Sequence, residues 1–177
     1  MSVAPQRLAL PVVLVLMGVS GSGKTTVAKL IADRLDWAFE EGDALHPPAN
    51  VAKMAAGHAL DDDDRAPWLA KVADWVDARL DAGESGVITC SALKRKYRAL
   101  IDRRGHGVEF VYLHGSPELV AERLAARQGH FMPSSLLASQ FETLEEPAAD
   151  EPVIRVEIGA TPDAIADDVM AALGLAA

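Results

Sequence analysis

A chain of 177 residues, half of them hydrophobic, has room for one full core and little for a second, so a single domain is expected. Lys and Arg total 17 against 26 Asp and Glu, and the resulting formal charge of −9 repels a phosphate backbone and argues against nucleic acid as a partner. The lone cysteine, Cys90, rules out an intramolecular disulfide framework and suits a reducing, cytoplasmic setting.

In chain order, residues 1–7 read as a loose tail. Arg7 and the apolar run Leu8 to Met17 have the outline of a signal peptide. The run is too short to span a bilayer and leads straight into a motif, so it reads as the approach to a strand, with no membrane segment. Val12 to Met17 is unbroken apolar sequence, as a strand buried on both faces requires. Behind it, Gly18-Val19-Ser20-Gly21-Ser22-Gly23-Lys24-Thr25 matches GxxxxGK[ST]. In that loop backbone N–H groups wrap nucleotide phosphates, Lys24 reaches the outer ones and Thr25 holds Mg²⁺, with Thr26 directly behind. Val27, Leu30, Ile31 and Leu35 then recur at helical spacing, which gives the loop its strand-to-helix context.

Trp37 to Glu41 reads as a second strand ending at Gly42-Asp43. With the first two strand ends as neighbours, Asp43 stands where an acceptor hydroxyl meets the terminal phosphate, and it can orient that hydroxyl and take its proton. A plain turn-forming Gly-Asp pair is the alternative. A short helix starts at Pro47 or Pro48 and closes at Gly57. The aspartates 61–64 precede a helical pattern through Trp68, Leu69, Val72, Trp75, Val76 and Leu80, where caps and dipole favour acid. Gly83 and Gly86 admit a strand at Val87 to Cys90, with Cys90 as a core residue. Ser91 follows where many phosphate-loop enzymes place an aspartate for Mg²⁺, so the metal falls to Thr25, with Asp43 as a second candidate.

Lys94 to Arg98 form a basic cluster on a helix predicted to reach Arg103 or Arg104. Val108 to Leu113 is the next strand and Pro117 to Ala126 the next helix, capped by Ser116. The polar, glycine-containing bridge that follows reads as a lid over about residues 127–134, from which Arg127, with Arg123 before it, can neutralise a migrating phosphoryl group. A helix from Ser134 or Ser135 through Leu144, a strand from Val153 to Ile158 and a helix capped at Thr161 complete the chain. Strands alternating with helices make an α/β fold, a parallel sheet flanked by helices, with ligands beyond the carboxyl ends of the strands.

Four basic residues near strand ends, Lys53, Arg65, Lys94 and Arg98, are candidates for the carboxylate of an acidic small molecule, against the plainer reading of solvated surface charge. His46 and His130 sit in polar loops and can hydrogen-bond a substrate, and no histidine spacing resembles a zinc site.

Together, Gly18 to Lys24, Gly42-Asp43-Ala44-Leu45-His46-Pro47, Asn50, Lys53-Met54, Asp62-Asp63-Asp64-Arg65, Pro67-Trp68-Leu69, Cys90-Ser91-Ala92-Leu93-Lys94, Tyr97-Arg98, Gly129-His130-Phe131-Met132 and Gln140 to Glu145 resemble the bacterial-type gluconokinase family. The resemblance runs from Val12 to about Glu157. It implies a nucleoside-monophosphate-kinase-like fold with a lid, ATP and Mg²⁺ as donor and cofactor, D-gluconate as acceptor, and a homodimer. It also implies roles: the amides of residues 21–25 and Lys24 on the phosphates, Thr25 on Mg²⁺, Asp43 as base or hydroxyl-orienter, and Arg123 near the adenine. Arg65 and Arg98, with His46, Lys53, Lys94 and His130, would hold carboxylate and polyol, while Arg127 closes on the transition state. Ala59 departs from the family pattern, where a proline is expected. The alternatives are a shikimate- or nucleoside-monophosphate-type kinase, or a nucleotide-switched module; the Asn-Lys-x-Asp element such switches use is missing from the sequence.

Overall fold

Five parallel strands carry the fold of the computed structural model, which describes residues 8–126 and 134–175. They are β1 (Val13–Met17), β2 (Ala38–Glu41), β3 (Gly86–Thr89), β4 (Val108–His114) and β5 (Val153–Glu157), in the spatial order β2-β3-β1-β4-β5. Every residue of β1 is fully buried, which is why its sequence is an uninterrupted run of Val, Leu and Met. The helices are α1 (Lys24–Leu35), α2 (Pro48–Ala55), α3 (Asp62–Asp81), α4 (Arg95–Ile101), α5 (Pro117–Ala126), α6 (Ser134–Thr143) and α7 (Pro162–Ala172). The expected tail lies outside the described residues, as does the expected lid except for residue 134, where α6 begins.

Local chemistry sets the boundaries. Thr161 accepts from the Ala164 amide at 3.2 Å and Ser116 from the Leu119 amide at 3.1 Å, so both expected caps are present. The aspartate run lies one step further into its helix than the sequence reading placed it. Asp61 is the N-cap, and it exchanges reciprocal bonds with Asp64, at 2.7 and 2.9 Å, in a capping box. Asp62, Asp63 and Asp64 then occupy the first turn, where the dipole favours them. α4 stops at Ile101, short of the predicted end, because Arg103 and Arg104 turn back to Asp74, Asp77 and Asp81 on α3.

One expectation about topology is corrected. β1 and β2 are not neighbours: β3 lies between them. Asp43 is carried towards the loop after β1 by a 3₁₀ turn, Gly42–Leu45, that crosses the end of β3. The crossing is so close that a Cβ on Gly42 would sit 1.8 Å from the Thr89 carbonyl oxygen, so only glycine fits. The loop after β1 emerges at the point where the chain switches from one side of the sheet to the other, with β3 and β4 flanking it.

Candidate active site

The loop between β1 and α1 is built to receive an anion. Gly23 takes φ 87° at the N-cap of α1, no side chain caps the helix and its first turn carries no acid, an arrangement that suits an anion at the helix N-terminus. Lys24 folds over the loop, its Nζ donating to the Gly18 and Val19 carbonyls at 3.0 Å each. Thr25 Oγ1 donates to Glu41 Oε2 at 2.5 Å, and Thr89 Oγ1 donates to Glu41 Oε1 at 2.6 Å. A hydroxyl and a carboxylate oxygen side by side are hard donors of the kind Mg²⁺ prefers, so these residues fit that ion.

A cavity of about 400 Å³ opens beside the loop, within the range of small-molecule sites. Its polar lining comes from Ser20, Lys24 and Ser91 and from Asp43, His46 and Arg65, and Val51, Met54, Leu60, Trp68 and Leu136 give it apolar surface. Arg65 is only 8% exposed. Its Nη1 donates to Tyr97 Oη at 3.0 Å, and no carboxylate pairs with it among the described residues. Tyr97 in turn donates to Asp62, so Arg65 is held by a hydroxyl and keeps its full charge for the cleft. Lys94, at 3.0 Å, and Lys96 also converge on Asp62, and these bonds, Lys96's first, hold the Asp62 carboxyl far below the usual range.

Trp68 ties the acceptor side together. Its Nε1 donates to the Gly42 carbonyl at 2.8 Å, fixing the backbone just ahead of Asp43, and its ring stacks on His46 with centroids 4.0 Å apart and planes 19° apart. Burial lowers the His46 pKa, and the Arg65 charge adds to this while Asp43 opposes it. A smaller cavity of about 140 Å³ is lined by Gly21, Gly23, Thr26, Arg123 and Pro162, among others. Arg123 donates there to the carbonyls of Ile158 and Ala160.

A family model described as an AAA domain matches residues 13–147. A gluconokinase from Gluconobacter oxydans is 54% identical over 90% of this chain and 90% of its own. The thermoresistant gluconokinase of Escherichia coli is 48% identical over 78% of this chain and 79% of its own. The crystal structure of a gluconokinase from Sinorhizobium meliloti superposes with a TM-score of 0.86 at 45% identity, covering 96% of this chain and 94% of that one. The chain belongs to the gluconokinase family. An APS kinase from Mycobacterium tuberculosis, 20% identical with a TM-score of 0.65, shares its fold.

Against the residues expected of a gluconokinase, the structure brings Ser20, Lys24, Asp43, His46 and Arg65 to one cleft. Lys53 and Lys94 are instead ion-paired with the first turn of α3, Lys53 with Asp64 at 2.6 Å and Lys94 with Asp62, and these bonds raise both lysine pKa values. Arg98, expected on the substrate, is not among the residues that line the cleft. It is 3% exposed, forks onto Glu151 at 2.8 and 3.0 Å, and donates to the carbonyls of Ala92 and Glu145, so its donors face the scaffold. Arg127 and His130 lie outside the described residues. Cys90 is core as expected, its thiol pushed up to about 12 by burial.

Two residues were missed. Glu41 looked like an ordinary strand position, yet its carboxylate accepts from both Thr25 and Thr89 beside the loop; its place directly before Gly42-Asp43, at a strand end, was the available signal. Gln140 on α6 clamps the loop, its Oε1 accepting from the Ser20 amide at 2.7 Å and its Nε2 donating to Ser20 Oγ at 3.0 Å. Its place at the head of the block Gln140 to Glu145 was the available signal, but nothing local tied that block to the loop.

Proposed function

We propose that this chain transfers the γ-phosphoryl group of ATP to the C6 hydroxyl of D-gluconate, giving 6-phospho-D-gluconate and ADP. The observation that carries the reading is Arg65, a buried guanidinium without a carboxylate partner among the described residues, opening on the same cleft as Lys24 and Asp43. Such a cation is worth most to an anionic acceptor, because the apolar wall lowers the local dielectric around the pair.

The amides of residues 21–25 and Lys24 hold the phosphates, and Arg123, Thr26 and the smaller cavity take the adenosine end. Arg65 anchors the gluconate carboxylate and His46 a hydroxyl. Asp43 orients the C6 hydroxyl and accepts its proton as the new O–P bond forms and the bond from phosphorus to ADP breaks. Thr25 and Glu41 would hold Mg²⁺, which supplies charge neutralisation at the β- and γ-phosphates when bound with ATP. Arg127 would close on the transferring group and His130 on the substrate. Lys53 and Lys94 act at one remove by fixing the turn that carries Arg65. Positioning and charge neutralisation do most of the work in such transfers.

Part of the same proposal is a cytoplasmic homodimer; among the described residues no helix is long and apolar enough to cross a membrane. Light scattering on the purified protein measures the assembly, and a monomeric mass would remove the dimer. The activity is tested by coupled ATP-consumption assays with gluconate, shikimate, AMP and no acceptor. Turnover with gluconate alone is expected, and gluconate inertness beside turnover of another acceptor would overturn the reading. Asp43→Asn is expected to lower kcat by 10²-fold or more at nearly unchanged ATP KM, in line with loss of a general base.

A further inference from the structure

Asn50, at the third position of α2, is 4% exposed and makes two contacts through one atom. Its Nδ2 donates to the Asp64 carbonyl oxygen at 2.9 Å and lies 3.2 Å from His46 Nδ1. A backbone carbonyl only accepts, so the amino end of the amide must face it. Turned over, Oδ1 would meet the Asp64 oxygen lone pair to lone pair in a buried site, losing the bond and leaving both groups desolvated. With Nδ2 fixed, its second hydrogen points at His46 Nδ1, which therefore carries a lone pair and no proton.

We infer that Asn50 is a positioning residue that sets His46 as the neutral Nε2–H tautomer, so that His46 meets the acceptor as a hydrogen-bond donor and not as a base. The ring plane is held from the other side by its stack on Trp68. The charged groups that face it are Asp43 from the 3₁₀ turn and Arg65 from α3, with Lys24 lining the same cleft. Asp43 favours a second proton on the ring; burial, Arg65 and the Asn50 hydrogen oppose it. Protonation would have to occur at Nδ1 and would set one N–H against another. Of the two groups on that wall able to accept a proton, only Asp43 then keeps an acceptor towards the cleft. Asn50 thereby assigns the two roles, although it touches neither substrate.

The role of the donor rests on the acceptor chemistry proposed above, whereas the tautomer does not, and the experiment separates them. Long-range ¹H–¹⁵N correlation spectra of the labelled full chain at pH 7, with His46→Gln to identify the signals, read the protonation of both ring nitrogens. The expected result is an unprotonated Nδ1 and a protonated Nε2. In Asn50→Ala, a population protonated at Nδ1 should appear, with KM for gluconate raised roughly tenfold, the equivalent of about one hydrogen bond, and KM for ATP unchanged. An Nδ1–H or an imidazolium in the wild type at pH 7 would overturn the inference. So would an Asn50→Ala spectrum and KM identical to the wild type. Should Asn50→Ala fail to fold, the wild-type spectrum decides alone. The expected tautomer with no turnover of gluconate would uphold Asn50's role and sink the acceptor assignment.

Discussion

Glu151→Gln separates a scaffold role for Arg98 from a role in binding. Glu151 is the sole carboxylate paired with Arg98 among the described residues; the two side chains are 10% and 3% exposed and meet through two parallel bonds. The glutamine is nearly isosteric, but it turns one of those acceptors into a donor facing Nη2 and leaves the guanidinium charge buried and unpaired. It also disturbs the acceptor used by the Ala148 amide, at 2.9 Å from Glu151 Oε2. Breaking one side of a buried pair costs about 3–5 kcal/mol. For a domain of this size that corresponds to a fall in Tm of roughly 6–20 °C. Thermal unfolding followed by circular dichroism at neutral pH measures it, with gluconate KM taken well below the transition. The expected outcome is a large loss of Tm with KM changed little. A shift below about 1 kcal/mol, the size of a surface pair, or a raised gluconate KM at unchanged Tm, would refute the reasoning and return Arg98 to the substrate. The pH dependence has a definite sign. Arg98 holds the Glu151 pKa below its ordinary 4.5, so the wild type has this stabilisation in full above 4.5 and loses it as pH falls through the lowered folded value. Glu151→Gln should flatten that acid limb.

Arg65→Met should raise KM for gluconate by roughly 30-fold or more, as loss of one partner of a desolvated charge pair does, and leave KM for ATP nearly unchanged; steady-state kinetics in both substrates check it. Gln140→Ala removes both bonds to Ser20 and should raise KM for ATP about three- to tenfold with little change in Tm, measured by the same kinetics. Gly42→Ala forces a Cβ into the Thr89 carbonyl oxygen and should lower stability by at least about 1–3 kcal/mol while displacing Asp43, so both Tm and kcat fall.

The nucleotide half of the site was legible because its signals are local. An apolar run, glycines at positive φ and a helix without a cap all lie within residues 12–35, and Ser116 and Thr161 announced their helices in the same way. The acceptor half depends on pairing at a distance. Lys94, Arg98 and Arg65 look alike as charges near strand ends, and only the fold distributes them, to Asp62, to Glu151 and to a tyrosine hydroxyl. Glu41 was hidden for a related reason. Strand order is not written in periodicity, and its carboxylate gains meaning only when β3 is known to bring Thr89 beside it, with Thr25 in reach.

The stack of His46 on Trp68 also gives the cleft an optical signature. A protonated imidazole quenches a stacked indole, whereas a neutral one leaves it bright, so emission from Trp68 reports the charge on His46 directly. Trp37 and Trp75 are only half-buried and stand apart from the cavity lining, and replacing both with phenylalanine isolates the signal. Because burial lowers the His46 pKa from its ordinary 6.5, the loss of emission is expected at a more acid pH than an exposed imidazole would give. The residue pair that shapes the acceptor wall is thus a label-free gauge of its own ionisation, readable in a fluorimeter cell without substrate present.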